Sequence, residues 1–257
     1  MNKRKTILSS VILLIASALH AQEKLIWSDE FNSNALDTTV WNIQKGYGSN
    51  NDGWGNHEWQ NYTADNISFK DGKLLITAIK IGEGQKRGDY TSARITTGHK
   101  KEFTYGRMEA RIKLPKGKGV WPAFWMLGEG RWPDCGEIDI LEYVGYDTSI
   151  AHSALHTRSS FGETVNVGFK KYPNLEDDFH VFGINWTKDK IEFYVDDRSK
   201  PYYTYNPTEK NEKTWPFDKP MHFILNFAVG GGFGGRKGVD DNVYPQTFMV
   251  DWVRVYQ

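Results

Sequence analysis

Three carboxylates lie within six residues of the run CGEIDILEYVG, which spans residues 135–145. They are Glu137, Asp139 and Glu142, and the residues between them are isoleucine and leucine. An unpaired carboxylate is unstable among buried apolar side chains, so this much charge needs either solvent or a function. Two carboxyl groups in different protonation states are what cleavage of a glycosidic bond requires.

The acids share one face of a strand only if the strand contains a β-bulge. Period-two alternation directs Glu137 and Asp139 to one face and the isoleucines to the core. Strict alternation would direct Glu142 to the core, where an unpaired charge is costly. A bulge at Ile140 and Leu141 inverts the alternation and returns Glu142 to the face of the other acids.

The bulged spacing fits a pair of acids that act on the same bond. The two glutamates are about four strand steps apart, roughly 13 Å between their Cα atoms. Side chains that lean together across a concave sheet close most of this gap, toward the ~5–5.5 Å carboxyl separation of retaining glycosidases. Asp139 between them repels a second negative charge and favours retention of a proton in the group.

Two other interpretations of the acids remain open at this point. They could form a solvated face of an antiparallel sheet, or bind a divalent cation through their oxygens. The tryptophans just upstream, Trp121, Trp125 and Trp132, favour a carbohydrate cleft. Their rings provide flat contact surfaces on which sugars stack.

The elements that must position these residues are short strands. Alternating apolar runs, each bounded by Gly, Pro, Asn or Asp, recur at 73–80, 105–114, 137–144, 180–197, 221–229 and 247–257. Residues 188–190 divide the fourth run into a predicted hairpin. Beyond the first 21 residues no long window has a helical period. We therefore predict an all-β fold, a large sandwich of two antiparallel sheets.

The first and last runs of residues 22–257 both carry acids among apolar residues, and we expect these two strands to pair. Alternation sorts the last run into two faces, Met249, Asp251, Val253 and Val255 against Phe248, Val250, Trp252, Arg254 and Tyr256. The acid on the first of these faces then requires a partner.

The amino-acid composition limits the classes of molecule that the protein can be expected to bind. Lys plus Arg equals Asp plus Glu at 32 each, so no net field attracts nucleic acid or an anionic membrane. Ten Trp and thirteen Tyr exceed the needs of one core, which predicts exposed rings and a neutral partner. Residues 25–257 contain no low-complexity linker, no charge block and no repeat of fixed period, so we predict one domain over residues 22–257.

Residues 1–21 have the layout of a secretory signal peptide. They run from basic NKRK through apolar ILSSVILLIA to SALHA, which predicts cleavage after Ala21 and a mature chain that begins near Gln22. The apolar run is shorter than the ~20 residues of a spanning helix, so we expect export and no membrane span. Cys135 is the only cysteine and cannot form an intramolecular disulfide, so the core or a metal must stabilise the exported domain.

The run GEIDILEYVG, preceded by YGRMEARIKLPKGKGVWPAFWMLG, resembles glycoside hydrolase family 16, and within it the laminarinase-type bacterial endo-β-1,3-glucanases. The resemblance extends to GWGNHEWQNYT, YTSARITT, NFAVGGGFGG and YPQTFMVDWVRVYQ. It implies a concanavalin-like β-jelly-roll with a concave cleft. It also implies that Glu137 is the nucleophile, Glu142 the general acid/base and Asp139 an assisting carboxylate. Leu141 is the additional residue that separates this E-x-D-x-x-E form from the shorter E-x-D-x-E form.

The same resemblance implies further sites. It assigns substrate binding to Asn56, Glu58, Arg94, Trp121, Trp125, Trp132, His156, Asn226 and Gln246. It implies a structural calcium ion where the termini meet, held by Glu30, a Gly72 carbonyl and Asp251, although Asp251 could instead bond only to backbone. Arg94 could be a plain salt-bridge partner. His152 and His156 share a strand face and could bind a metal, but no third zinc ligand is evident.

Together these observations predict a secreted, monomeric, retaining endo-glycosidase that needs no cofactor for catalysis. The expected substrate is a neutral β-1,3-glucan such as laminarin, or a mixed-linkage β-1,3/1,4-glucan. One alternative is a non-hydrolytic β-glucan-binding protein of the same fold, which the intact acids disfavour. Another is a hydrolase or transglycosylase that acts on a different polysaccharide such as agarose or carrageenan.

Overall fold

The computed structural model describes residues 23–257, and nearly all of its regular structure is β-strand. The predicted signal peptide, residues 1–21, lies outside this range. The strands are β1 (Leu25–Asp29), β2 (Asn42–Gln44), β3 (Gln60–Tyr62), β4 (Ile67–Lys70), β5 (Lys73–Lys80), β6 (Tyr90–Ser92), β7 (Arg94–Thr96), β8 (Gly106–Lys113), β9 (Val120–Gly128), β10 (Glu137–Glu142), β11 (Ile150–His156), β12 (Val167–Lys171), β13 (His180–Trp186), β14 (Ile191–Val195), β15 (Tyr203–Tyr205), β16 (Met221–Val229) and β17 (Gln246–Tyr256). Short helical turns cover Gly53–His57, α1 (Gly231–Gly234) and Asp241–Val243.

Two sheets pack face to face and confirm the predicted all-β jelly-roll sandwich. The ten-stranded sheet has the order β15-β14-β13-β8-β17-β5-β6-β3, with β1 beside β17 and β4 beside β5. The seven-stranded sheet has the order β12-β11-β10-β9-β16-β7-β2. Among the pairs of the described strands only β3 with β6 is parallel. Within residues 23–257 no helix is long and apolar enough to cross a membrane.

One continuous apolar cluster fills the space between the sheets. The ten-stranded sheet contributes Ile112 and Phe248, and the seven-stranded sheet contributes Phe124 and Phe223, all with no exposed surface. The predicted strands at 73–80 and 221–229 agree with β5 and β16 at both ends. The run 137–144 leaves the sheet at Glu142, earlier than predicted. The 180–197 run forms the predicted hairpin of β13 and β14.

The predicted pairing of the terminal strands is confirmed, but the predicted faces of the last strand are wrong. β1 lies antiparallel beside β17, with Asp29 opposite Val253. In β17 the buried residues are Phe248 and Val250, and then Val253 and Val255. The alternation inverts because the register with β8 shifts after Val250, which indicates a bulge.

Candidate active site

A β-bulge in β10 brings the three acids to one face, as the spacing predicts. The β9 partners of Asp139 and Leu141 are adjacent residues, so Ile140 has no partner on that strand. On β11 only Ser153 lies between the partners of Asp139 and Glu142. The Ser153 hydroxyl donates a 3.0 Å hydrogen bond to the Ile140 carbonyl. Two residues therefore oppose one, and Glu142 leaves the core side.

Each glutamate accepts a hydrogen bond from one of the predicted tryptophans. Trp132 Nε1 donates to Glu137 Oε2 at 2.9 Å, and Trp121 Nε1 donates to Glu142 Oε1 at 3.0 Å. Trp121 is buried, whereas Trp132 is 42% exposed and extends into solvent. Each indole thus orients one carboxyl oxygen of its glutamate.

His156 lies against the other two acids. Its Nε2 is 3.3 Å from Asp139 Oδ2 and 3.7 Å from Glu137 Oε1. Asp139 is 4% exposed, and its Oδ2 has no hydrogen bond within the described residues. The three groups offer donor atoms within 4.8 Å of one another, so a cation would find ligands here. His152 is not part of this cluster, because its Nε2 faces Asp147 at 3.4 Å.

Burial raises the pKa of all three acids. It raises the pKa of Glu137 to about 8, and the neighbouring Asp139 charge acts in the same direction. The pKa of Asp139 is raised well above its usual range by burial and then by Glu142. Burial also raises the pKa of Glu142, against the hydrogen bond from Trp121. Because three neighbouring buried negative charges repel one another, the group holds protons more firmly than three separate carboxyl groups would.

A buried hydrogen-bond network extends the concave face from β9 toward β7. Trp125 Nε1 donates to Asn226 Oδ1 at 2.7 Å, and Asn226 Nδ2 donates to the Tyr62 hydroxyl at 3.1 Å. That hydroxyl donates to Glu58 Oε2 at 3.0 Å. Glu58 is 2% exposed and also accepts a 3.2 Å hydrogen bond from Asn56, which is exposed. Four predicted substrate-binding residues therefore form one connected group.

Arg94 lies between two indole rings and is not a plain salt-bridge partner. Its guanidinium is 4.5 Å from the ring centroid of Trp54 and 4.8 Å from that of Trp125. Its Nε donates to Gln44 Oε1 at 2.5 Å. Burial lowers the pKa of Arg94, while the nearby Glu58 carboxylate opposes this effect. The cation is thus held flat beside the cleft by aromatic faces.

Two residues of the network were missed in the sequence. Gln60 Nε2 donates to Glu58 Oε2 at 2.6 Å, and Gln60 Oε1 accepts from the Val229 amide at 2.7 Å. Tyr62 joins Glu58 to Asn226, as described above. The period-two spacing of residues 58, 60 and 62 in GWGNHEWQNYT was a signal that they share a face.

Gln246 is not brought into this group. It begins β17, which belongs to the ten-stranded sheet. Its Oε1 accepts from the Lys116 amide at 3.0 Å, and its Nε2 donates to the Val243 carbonyl at 2.8 Å. The structure therefore places its amide in a contact between loops.

The three positions predicted for calcium lie near the β17 bulge. Glu30 follows β1, and Gly72 precedes β5 in a turn with a φ of +68°. Both β1 and β5 pair with β17, which contains Asp251. The Glu30 carboxylate is bound by Arg254 at 2.8 and 2.9 Å. Of the three positions, only Asp251 can therefore offer a side-chain oxygen to a calcium ion.

The Asp251 carboxylate bonds to one cationic side chain, Arg111, rather than only to backbone. Its Oδ2 accepts from Arg111 Nη1 at 2.5 Å. Its Oδ1 lies 3.9 Å from Lys73 Nζ, which is beyond hydrogen-bond distance. One carboxylate oxygen thus remains for a cation, together with backbone carbonyls.

A β-sandwich that presents two partly buried glutamates on one strand face, each bound by an indole N–H, has the kind of carboxyl pair that glycosidases use. The model of the glycosyl hydrolases family 16 matches residues 55–254, and the chain belongs to this family.

Relatives with assigned names support this classification. The chain is 41% identical to a β-glucanase of Rhodothermus marinus, over 91% of this chain and 85% of that protein. It is 38% identical to the glucan endo-1,3-β-glucosidase A1 of Niallia circulans, over 91% of this chain and 38% of that protein. The crystal structure of a laminarinase from Flavobacterium sp. UMI-01 is 52% identical, with a TM-score of 0.85, over 91% of this chain and all of that chain.

Proposed function

We propose that the protein cleaves internal β-1,3 bonds of laminarin-type glucans, or β-1,4 bonds next to β-1,3 bonds in mixed-linkage glucans, with retention of configuration. The observation that carries this proposal is the pair of glutamates on one concave face, each oriented by an indole N–H. Relatives named for β-glucan and laminarin support the choice of substrate. The balanced charge of the chain agrees with a neutral polysaccharide.

The first step of the proposed mechanism transfers the sugar to Glu137. The carboxyl proton of Glu142 moves to the glycosidic oxygen while the bond from that oxygen to the anomeric carbon breaks. A Glu137 carboxylate oxygen bonds to the same carbon from the opposite face. The Trp132 N–H and the His156 ring stabilise the negative form of Glu137 before attack. Trp121 binds Glu142 Oε1, so Oε2 is available to carry the proton.

The second step returns both glutamates to their starting forms. The Glu142 carboxylate accepts a proton from water, and the water oxygen bonds to the anomeric carbon as the bond to Glu137 breaks. Two inversions give net retention. Asp139 assists because it holds a proton next to Glu137, which reduces the negative charge of the group and allows Glu137 to ionise. No step uses a cofactor.

The deciding experiment is product analysis of the mature protein on laminarin, mixed-linkage glucan, agarose and carrageenan. We expect oligosaccharides of several lengths from the two glucans, released first as the β-anomer in a proton NMR time course. A chelator should not change the initial rate at moderate temperature. Products from agarose or carrageenan alone, or binding to glucan without cleavage, would refute the proposal. A rate that requires an added divalent cation would instead support the cation interpretation of the acidic group.

We also propose that residues 1–21 direct export and that the mature enzyme is a monomer. A polymeric substrate that does not cross membranes intact supports action outside the cytoplasm, periplasmic or extracellular. The three-part pattern of the leader supports the same placement. Mass spectrometry of the exported protein should give an N-terminus at Gln22, and retention of residues 1–21 would contradict this. Sedimentation should give the mass of one chain.

We further propose a structural calcium ion beside the β17 bulge. Asp251 would contribute Oδ1, and Glu30 and Gly72 would contribute backbone carbonyls, because the Glu30 carboxylate is bound by Arg254. Oxygen donors of this kind suit calcium. The ion would connect strands β1, β5 and β17 and stabilise the fold without taking part in catalysis.

A further inference from the structure

Exposed apolar side chains are concentrated beside the acids. Nine large hydrophobic residues in the described part of the chain are exposed, and five of them are Trp132, Phe161, Val165, Val167 and Phe169. Phe161 is 51% exposed, Val167 46% and Phe169 68%. We call these last three residues the apolar rim. A cluster of this kind marks a surface that binds something.

The strand register places two rim residues on the concave face. Phe169 lies opposite His152, whose other partner is Glu142. Val167 lies opposite Ala154, which in turn pairs with the strand of the acids. Gly168 faces the other way, where a Cβ would meet the Tyr203 side chain at 2.3 Å. Strand β12 therefore continues the catalytic face two strands beyond β10, roughly 10 Å away.

Ring contacts connect the rim to the residues that bind the glutamates. Phe161 meets the ring of Trp132 edge-on, with 5.4 Å between centroids, and Trp132 is the hydrogen-bond donor to Glu137. The ring of Phe169 is 6.3 Å from the ring of His152, whose strand partner is the second glutamate. The rim is thus continuous with the cleft.

We propose that the apolar rim binds the sugar units on the leaving-group side of the scissile bond. This inference rests on the proposed glucan hydrolysis. The opposite half of the cleft has buried, hydrogen-bonded polar groups such as Glu58 and Arg94, which suit the sugar that stays covalently bound to the enzyme. The rim offers exposed apolar faces, on which a sugar stacks and from which it can depart.

Binding at the rim acts on catalysis as well as on affinity. Binding energy from sugars remote from the reacting bond offsets the distortion and orientation of the sugar at that bond. The rim should therefore raise the rate on polymers. It should not affect substrates that have no sugar on the leaving-group side.

A second copy of this chain is the competing occupant, because β12 is an edge strand. Edge strands pair with other chains unless charges oppose the contact. Lys170 and Lys171 on β12 are both exposed and carry like charges toward any second copy of the strand. These lysines favour a neutral sugar chain as the occupant.

The test compares Phe169→Ala, Phe169→Trp and the control Ile81→Ala, which removes an exposed apolar side chain outside the rim. One substrate is laminarin, and the other is a chromogenic aryl β-glycoside of a β-1,3-gluco-oligosaccharide, which has no sugar on the leaving-group side. We expect Phe169→Ala to lower kcat/KM on laminarin about tenfold and to change the aryl glycoside rate less than twofold. Phe169→Trp should restore the laminarin rate, and Ile81→Ala should match the wild type on both substrates.

Other results would overturn either the assignment of the rim or the proposed function. An unchanged laminarin rate for Phe169→Ala, or equal losses on both substrates at an unchanged melting temperature, would overturn the assignment of the rim. A wild-type dimer that Phe169→Ala converts to monomers would identify a second copy as the occupant and would also overturn it. A wild-type protein that cleaves neither glucan substrate would refute the proposed function itself.

Discussion

At the scale of single residues, Glu137 combines opposing influences on one carboxyl group. Burial and the Asp139 charge raise its pKa to about 8, while His156 and the Trp132 N–H favour the charged form. In the proposed mechanism Glu137 must be ionised to attack the sugar, so a charge is required where burial disfavours it. Functional sites often contain groups of this kind, which lower stability in return for reactivity.

The raised pKa of Glu137 predicts how the substitution Glu137→Gln changes the stability of the protein with pH. A carboxyl pKa raised above its unfolded value means that the folded state binds more protons between about pH 4.5 and pH 8. The contribution of Glu137 to the free energy of unfolding therefore falls as pH rises through this window. Glu137→Gln should abolish hydrolysis, raise the free energy of unfolding by on the order of 4 kcal/mol at pH 8, and change it little at pH 4.

Chemical denaturation of both proteins at pH 4, 6 and 8 measures this effect. The control is Glu83→Gln, which changes an exposed glutamate outside the cleft. A stability difference between wild type and Glu137→Gln that is the same at all three pH values would contradict the prediction, as would full activity of the variant.

At the scale of elements, the bulge in β10 decides whether the second glutamate reaches the cleft. Ile140 and Leu141 are both buried in the core, and Glu142 beyond them lies on the opposite face. The bulge is supported by the hydrogen bond from Ser153 to the Ile140 carbonyl. In a strand without a bulge, one residue more or less moves every later side chain to the other face, so the extra residue of the bulge decides where Glu142 points.

Two length variants test the bulge. Deletion of Leu141 leaves Glu142 on the cleft face by ordinary alternation, so some laminarin hydrolysis should survive. Loss of a buried leucine should lower stability by about 2–5 kcal/mol. Insertion of a second leucine after Leu141 should be more damaging, because it returns Glu142 to the core. Expression, melting temperature and hydrolysis of both variants are the measurements, and an active insertion variant beside a folded, inactive deletion variant would overturn the bulge argument.

At the scale of the whole molecule, the last strand, β17, joins the first strand, β1, to the centre of the ten-stranded sheet. It pairs with β1, β5 and β8, and its bulge places Asp251 next to Arg111. An ion that connects β1, β5 and β17 would therefore oppose the separation of the first strand from the sheet. The effect belongs to global stability, because the site lies on a different sheet from the acids.

The calcium proposal predicts a stability effect without a catalytic one. Added calcium should raise the melting temperature by several degrees, and a chelator should reverse the gain, because a ligand that binds only the folded state stabilises it by mass action. Hydrolysis at moderate temperature should not change. Asp251→Asn should remove the response to calcium, whereas Glu83→Gln should retain it. Melting curves that are identical with calcium and with chelator would refute the proposal.

The sequence by itself determined the fold class, the common face of the acids and the longer strands β5, β8, β10, β13, β14, β16 and β17, but not β9 and β11, which flank the acids. These features follow from the period of the extended backbone, which acts between residues a few positions apart. The positions of Glu137, Asp139 and Glu142 in the alternating strand pattern were sufficient to predict the bulge. Without a bulge, one of the three carboxylates would be buried in the core without a partner.

Only the tertiary structure decided which distant residues meet. Tyr62 and Asn226 are 164 positions apart and share a hydrogen bond because β16 and the segment of β3 face the same cleft. The bulge in β17 could not be predicted from the alternation of apolar and polar residues. Trp252 and Tyr256 can face either solvent or an apolar surface, so their positions do not show where the alternation inverts. The amide of Gln246 bonds to loop backbone that no local pattern predicts. Such contacts depend on how sheets twist and pack, and they are therefore set by the whole chain rather than by any local run of residues.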